Sequence, residues 1–357
     1  MDKQLSDFYN GKRVLITGNT GFKGSWLSLV LFHFGAKIVG YSQKENIHNT
    51  FSKDTIEHTG LIQEYGEITN KFLLEKIIEE YQPEVIFHLA AQPLVSKSYK
   101  IPFETMNTNA FGTLTLLEIL RSYDKNCSLI FVTSDNCYDL REKKEEYTEE
   151  DLLGGYDPYS LSKAFQEQLF KLYYENYFRK KDNIRCCSLR SGNLIGGGDF
   201  AISRIIPDLV SDLNHNKDII LRNPNAVRPW MFVLDTIHAY LLASITISNS
   251  KEFSGQSFNI GPQKKDLKTV NELVNLFIKY YTSSEQSKII HQNQPQFEES
   301  NYIFLSTKKI REILKWQEKY TITESVEETA KWYTEYYKDK KHIVNYTLTF
   351  IETYFKK

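Results

Sequence analysis

Tyr159 and Lys163 stand four apart in "DPYSLSKAFQEQLF", just behind Asp157 and Pro158, residue types that open helices. On a helix that spacing puts phenol and ammonium on one face. An ammonium near a phenol favours the phenolate, and a phenolate can take the proton of a sugar hydroxyl while hydride leaves the same carbon for a nicotinamide. Alone the pair is a weak signal, because the chain holds 23 tyrosines. Two other stretches give it a setting. The apolar run "SLIFV" ends in Thr133, Ser134, Asp135 and Asn136, which places hydroxyl, carboxyl and amide groups at a strand end. Nearer the N-terminus, "TGNTGFKG" follows the apolar run "RVLI" and spaces Gly18, Gly21 and Gly24 by three. Glycines at a strand-to-helix turn permit a tight bend and a close backbone approach, and the helix N-terminus offers free N–H groups and a positive dipole to a pyrophosphate. Together the three stretches point to a dinucleotide-dependent dehydrogenase site.

The adenosine end is less explicit. A second strand in this arrangement usually closes on an acid that bonds the ribose, whereas this one closes on Gly40, Tyr41, Ser42 and Gln43. Ser42 can bond a ribose hydroxyl and Lys44 tolerates a phosphate, so these residues leave NAD and NADP open. In "YGEIT", Glu67 and Ile68 follow a third strand, where a carboxylate can accept from the adenine amino group; the plainer alternative for Glu67 is a solvated loop acid.

Short Val- and Ile-rich runs ("RVLITG", "KIVGYS", "EVIFHLAA", "SLIFVTSD") alternate with amphipathic segments starting near Phe22, spanning about 71–80 and spanning about 103–121. Strands apolar along their whole length, separated by helices, imply a parallel sheet covered on both faces. The expected fold is α/β, a doubly wound parallel sheet of Rossmann type with a smaller C-terminal substrate-binding lobe. Residues 1–190 would form the dinucleotide domain and 191–357 mainly the second lobe, with some segments returning to the first. After Arg190 the stretches "SGNLIGGGDF" and "LRNPNAVRPW" break both periods, and "TVNELVNLFIKYY" and "HIVNYTLTFIETYFKK" restore a helical one.

Composition excludes several classes. Lys and Arg total 44 against 45 Asp and Glu, a formal charge of -1, which gives no electrostatic footprint for nucleic acid. The polar start and the short, interrupted run "SWLSLVLFHF" argue against a leader or a membrane span, so a cytoplasmic protein is expected. Cys127, Cys137, Cys186 and Cys187 lack metal-ligand spacing, so no metal site is expected and the four read as small core side chains.

The glycine loop, "HLAAQ", the Tyr159/Lys163 pair and a hydroxyl at the preceding strand end resemble the extended short-chain dehydrogenase/reductase family over nearly the whole chain. "GFKGSWLSL", "HLAAQPLV", "TSDNCYD", "GGYDPYSLSK", "RSGNLIGGGD" and "RNPNAVRPW" look like its 4,6-dehydratase branch acting on CDP-glucose. That resemblance implies tightly bound NAD, held by Gly18, Asn19, Gly21, Phe22, Lys23 and Gly24 at the pyrophosphate and lined by Leu89, Ala90, Ala91 and Asn109. It implies Tyr159 as the base at the 4-hydroxyl, Lys163 on the nicotinamide ribose lowering the tyrosine pKa, Ser134 orienting the 4-oxygen and Asp135 protonating the departing 6-hydroxyl. Gln92, Asn193, Arg204, Arg222 and Arg228 would hold the nucleotide sugar, a task suited to guanidinium. It further implies a homodimer or homotetramer paired near the Tyr159 segment, and a product feeding a deoxysugar of a surface glycan such as lipopolysaccharide.

One residue departs from the pattern. Where the family usually has lysine, and related dehydratases glutamate, this chain has Asn136, whose amide has no basic site at neutral pH. Three readings stay open: an introduced replacement of the base, a natural variant using another base with Cys137 or Tyr159 as candidates, or a 4-epimerase or 4-dehydrogenase that never dehydrates. A silent nucleotide-sugar binder is a fourth possibility, opposed by the retained Ser134, Tyr159 and Lys163.

Overall fold

The computed structural model describes residues 2–44, 50–141, 145–281, 288–291 and 302–357. Its frame is a seven-stranded sheet of β1 (Arg13–Thr17), β2 (Lys37–Ser42), β3 (Ile62–Tyr65), β4 (Val85–His88), β5 (Cys127–Val132), β6 (Ile184–Ser191) and β7 (Ser257–Ile260). The order is β7-β6-β5-β4-β1-β2-β3 and every neighbouring pair is parallel. β4 and β5 are buried at every position, as strands covered on both faces must be. Alternation then divides their side chains between two cores. Val14 and Ile16 enter one with Val30, Ile130 and Leu241; Leu15 enters the other with Ile86, Leu116 and Phe131.

The direction of winding reverses between β1 and β4, the place where ligands settle outside the carboxyl ends of such a sheet. The glycine loop leaves β1 there, Leu89 to Ala91 leave β4, and β5 ends next door in Ser134 and Asp135. Topology alone therefore gathers the glycine loop and the ends of β4 and β5 at one edge of the sheet.

The segment expected as one helix over about 103–121 is three pieces: a helix Pro102–Met106, a π-turn Asn107–Phe111 and a helix Gly112–Ser122. A single-turn π-bulge leaves helix on both of its flanks, so the sequence reads as one helical stretch. It turns Asn109, fully buried, toward the β4 loop, where Asn109 Oδ1 accepts from Gln92 N (2.8 Å) and Asn109 Nδ2 donates to Ser162 Oγ (2.8 Å).

Beyond β6 the chain does not stay apart from the sheet. The helix Val233–Asn249 packs against β5 and β6, and β7 extends the sheet beside β6. "TVNELVNLFIKYY" forms the helix Val270–Tyr280 behind a Thr269/Glu272 capping box, and the C-terminal stretch forms the helix Ile343–Lys356. Among the described residues no helix is long and apolar enough to cross a membrane. All four cysteines are free and buried.

Candidate active site

The loop after β1 closes through two glycines and opens at a third. A Cβ on Gly18, whose φ is +78°, would stand 2.9 Å from Ala90 N, and one on Gly24 would stand 2.3 Å from Gly18 O. These positions let the loop lie against the β4 end. Gly21 is exposed and is the N-cap of the helix Phe22–His33, with no side chain bonded to the first-turn N–H groups and no acid in that turn. An uncapped helix start in front of a glycine loop fits a pyrophosphate.

The neighbouring side chains sort themselves around that loop. Leu89 N donates to Thr17 O (3.0 Å) and Ala90 N to Thr17 Oγ1 (3.3 Å), fixing the half-buried Leu89–Ala91 turn beside it. Asn19 is buried and its amide donates to Gln63 Oε1 (2.6 Å), so its side chain ties the loop to β3. Ser42 is buried and accepts from Gln63 Nε2 (3.3 Å). Glu67 is exposed and accepts from Gln43 Nε2 (2.6 Å), while Ile68 is buried against Gly112.

At the end of β5, Ser134 caps a short 3-10 turn, Asp135–Cys137. The Tyr159 helix, Pro158–Tyr173, starts on Asp157, whose Oδ1 accepts from Ser160 N (2.9 Å), and this brings the Tyr159 phenol to the Ser134 hydroxyl. Ser134 Oγ also donates to Asp135 Oδ1 (3.0 Å), so one hydroxyl stands between phenol and carboxyl. Lys163 Nζ lies 5.8 Å from the centroid of the Tyr159 ring. Burial brings the Lys163 ammonium down to about 8, against Cys137 and Glu167, which favour the charge.

The phenol departs from expectation. Burial pushes Tyr159 up to about 12, opposed by the Ser134 hydrogen bond and by Arg204 and reinforced by Asp135 and Asp157. The expected lowering by Lys163 is not what this geometry gives, because a phenol that is 7% exposed loses more by desolvation than an ammonium over its ring returns.

Asp135 is 2% exposed, and burial raises its carboxyl above the usual range against Ser134, Arg228, Asn136 and Lys23. Among the described residues its Oδ2 is buried with no hydrogen-bond partner. A carboxyl whose burial favours the protonated form, with one oxygen unengaged, has the character of a general acid. Asn136 Nδ2 donates to Asp135 Oδ1 (3.1 Å) and Ser134 Oγ (3.4 Å), so the amide orients this acid. Cys137 is fully buried and burial pushes its thiol well above its ordinary value, which removes it as a candidate base.

Of the expected substrate residues, two stand near this centre. Arg204 Nη1 donates to Asp199 Oδ2 (2.7 Å), and its charge acts on Tyr159 and Lys23; the charge of Arg228 acts on Asp135. Asn193 is exposed on the same loop, its carbonyl accepting from Met231 N (2.9 Å). Arg222 instead acts on Asp208, in the first turn of the helix Ile205–Asn214. Gln92 is buried, its Oε1 accepts from Leu94 N (2.7 Å) and its Nε2 donates to Leu94 O and Thr105 Oγ1, so both amide hydrogens serve its own turn.

Sequence reasoning passed over the layer behind the strand end. Glu167 accepts from Thr133 Oγ1, Ser188 Oγ and Arg190 Nη2 (2.8 Å), and Arg190 Nη1 donates to Tyr138 OH (2.8 Å). The signal was present as spacing: Tyr159, Lys163 and Glu167 are i, i+4 and i+8, an ionisable stripe on a helix face that proves buried.

The family model described as "GDP-mannose 4,6 dehydratase" matches residues 15–329, most of the chain and all of the site above. The chain belongs to that family. It is 35% identical to the CDP-glucose 4,6-dehydratase of Salmonella typhimurium, over 92% of this chain and 92% of that one. Among solved structures, the dTDP-glucose 4,6-dehydratase of Bacillus anthracis, in complex with NAD, superposes with a TM-score of 0.76 at 26% identity, covering 93% of this chain and 98% of that one. The UDP-glucose 4-epimerase of Thermotoga maritima also gives 0.76, at 22% identity and 92% and 99% coverage. The last likeness speaks for the fold alone, since one fold serves several chemistries.

Proposed function

We propose that this protein is an NAD-dependent 4,6-dehydratase that converts CDP-glucose to CDP-4-keto-6-deoxyglucose. The observation that carries the reading is Asp135, a buried carboxyl held above its usual pKa and joined through Ser134 to Tyr159. An epimerase has no leaving oxygen to protonate, so such an acid would have no task there. The CDP-glucose assignment draws on the 35% relative and the NAD assignment on the B. anthracis complex.

The chemistry supplied by bound NAD is acceptance of hydride from C4 and its return to C6. Gly18, Gly21 and Gly24 would hold its pyrophosphate, with Phe22 in the first helical turn, whereas Lys23 turns its amine to Ser191 Oγ; Leu89, Ala90, Ala91, Ser42, Glu67, Ile68 and Asn109 would line or brace the cofactor. Tyr159 takes the proton of the 4-hydroxyl, and because its phenol is raised to about 12, the cations Lys163 and Arg204 must sustain the phenolate during that step. Ser134 orients the 4-oxygen. Asp135 delivers its proton to the 6-oxygen, which departs as water. Arg204, Arg228 and Asn193 would grip the sugar diphosphate, and Arg222 its outer end.

Gly24→Ala is expected to lose dinucleotide binding, since its Cβ would strike Gly18 O, and to be destabilised by about 1–3 kcal/mol, the usual cost of overpacking. Nucleotide content after acid extraction and a thermal melt measure the two effects. The exposed Leu161, Phe165 and Leu172 on the Tyr159 helix, with Phe103 and Phe111 exposed nearby, support pairing of two copies through this face. A Leu161→Glu/Phe165→Glu variant should elute as a monomer by light scattering where the parent protein is a dimer or tetramer.

The test of the function is incubation with CDP-glucose in heavy water followed by mass spectrometry. Loss of one water with deuterium at C5 is the expected result; a sugar that keeps its 6-oxygen while C4 is oxidised or inverted would support the epimerase or dehydrogenase alternative. Competition among CDP-, dTDP-, GDP- and UDP-sugars tests the base.

A further inference from the structure

Dehydration across C5 and C6 needs a base for the C5 proton, and Asn136 has none. The groups around the strand end narrow the choice. Cys137 is fully buried with its thiol well above its usual range. Tyr159 is committed to the 4-oxygen, and Lys163 lies over the Tyr159 ring.

Lys23 is placed differently. It enters from the glycine loop, is half-buried, and donates to Ser191 Oγ (3.2 Å), a hydroxyl that orients an amine without neutralising it. The four charged groups that face it come from three elements: Lys163 on the Tyr159 helix, Arg204 and Asp199 on the loop after β6, and Asp135 at the end of β5. Burial first, then Lys163 and Arg204, bring its ammonium down to about 7 against Asp135 and Asp199. At neutral pH about half of it is therefore free amine. Lys23 and Asp135 each feel the other's charge, and the Asp135 Oδ2 atom is the buried oxygen without a partner. Ser191, which Lys23 meets, is followed by Gly192, where a Cβ would stand 3.0 Å from Asp135 Oδ2, so an amine and a carboxyl raised by burial border one site.

We propose that Lys23 is the base that removes the C5 proton in this chain, acting as a pair with Asp135. The amine takes the proton from C5 as the C5–H electron pair forms the C4–C5 enolate. The enolate re-forms the C4 ketone and expels the 6-oxygen, which leaves as water with the proton of Asp135. When hydride reaches C6, the Lys23 ammonium, whose protons exchange with solvent, gives one of them to C5. Asp135 regains a proton from Tyr159 through Ser134, so the proton taken at the 4-hydroxyl replaces the one lost with water. The arrangement explains how a chain with Asn136 can dehydrate, and it rests on the dehydratase reading above.

CDP-4-keto-6-deoxyglucose incubated in heavy water isolates this step, because C5 already lies beside a ketone and exchange needs no hydride transfer. Mass spectrometry should show C5 exchange in the parent protein that rises with pH through about 7 and then levels. Lys23→Met and Lys23→Arg should both lose exchange by about two to four orders of magnitude, since guanidinium stays protonated. Lys23→Arg, which keeps the charge, should still carry its NAD, read by extraction, and keeps the test open if Lys23→Met fails to fold. Exchange in Lys23→Arg within about threefold of the parent, small beside the effect of losing a base, or loss of its NAD together with exchange, overturns the proposal. A parent protein that makes no 4-keto product from CDP-glucose condemns the dehydratase reading itself, whereas product from the parent with exchange surviving in Lys23→Arg condemns Lys23 alone.

Discussion

Tyr159→Phe is expected to lower kcat by about two to four orders of magnitude while leaving the fold and the bound dinucleotide in place. The change removes one oxygen from a ring that is 7% exposed and packed by its helix, so no cavity of consequence opens. What disappears is the acceptor of the 4-hydroxyl proton and the partner of Ser134. Oxidation at C4 is the first chemical step, so the variant should show no transient absorbance at the wavelength of reduced nicotinamide on mixing with CDP-glucose, whereas the Lys23 variants should show it. The phenol, raised to about 12, also sets a direction for pH: a base that must lose a proton to act gains activity as pH rises. Unchanged turnover in Tyr159→Phe would reject dehydrogenase chemistry at this site.

The second large effect falls on stability, at Glu167 and Arg190. Their side chains are 1% and 5% exposed and join at 2.8 Å, with Thr133, Ser188 and Tyr138 completing the network. Removing one partner leaves an uncompensated buried charge, which costs about 3–5 kcal/mol, while replacing both with apolar side chains costs much less. Glu167→Leu or Arg190→Leu should each shift the denaturant midpoint strongly, and the double variant should recover part of the loss. Burial alone would raise the Glu167 carboxyl, but Arg190 and the hydroxyls hold it below its usual 4.5. A carboxyl lowered by folding adds stability that is fully present above 4.5 and is lost as pH falls through the folded value. The parent protein should therefore lose this contribution on acidification below 4.5 and Glu167→Leu should not, a difference read from unfolding curves across that range. Equal acid sensitivity would place the network outside the stability of the strand end.

Much of this was legible from particular residues. Apolar strands between amphipathic helices gave the sheet, and Gly18, Gly21 and Gly24 marked where its winding reverses, because backbone demands of that kind leave few alternatives in sequence. Tyr159 and Lys163 were legible by spacing and Asp135 by its place after an apolar run. Other features were hidden for physical reasons. The π-turn at Asn107–Phe111 lies between two helical flanks that together read as one helix in sequence. Gln92 and Asn19 look like ligand residues because amides serve ligands and turns equally well, and the sequence does not show their bonds to Leu94, Thr105 and Gln63. The direction of the Tyr159 shift depends on burial, which no four-residue spacing encodes. Lys23 reads from sequence as a phosphate contact on a glycine loop; its reach to Ser191 and its charge coupling to Asp135 come from strands far apart in the chain.

The most direct test of the central claim is the mass of the sugar released from CDP-glucose in heavy water. A product lighter by one water and carrying deuterium at C5 is what a Tyr159, Ser134 and Asp135 centre predicts. A product of unchanged composition, with its 6-hydroxyl retained, would contradict it.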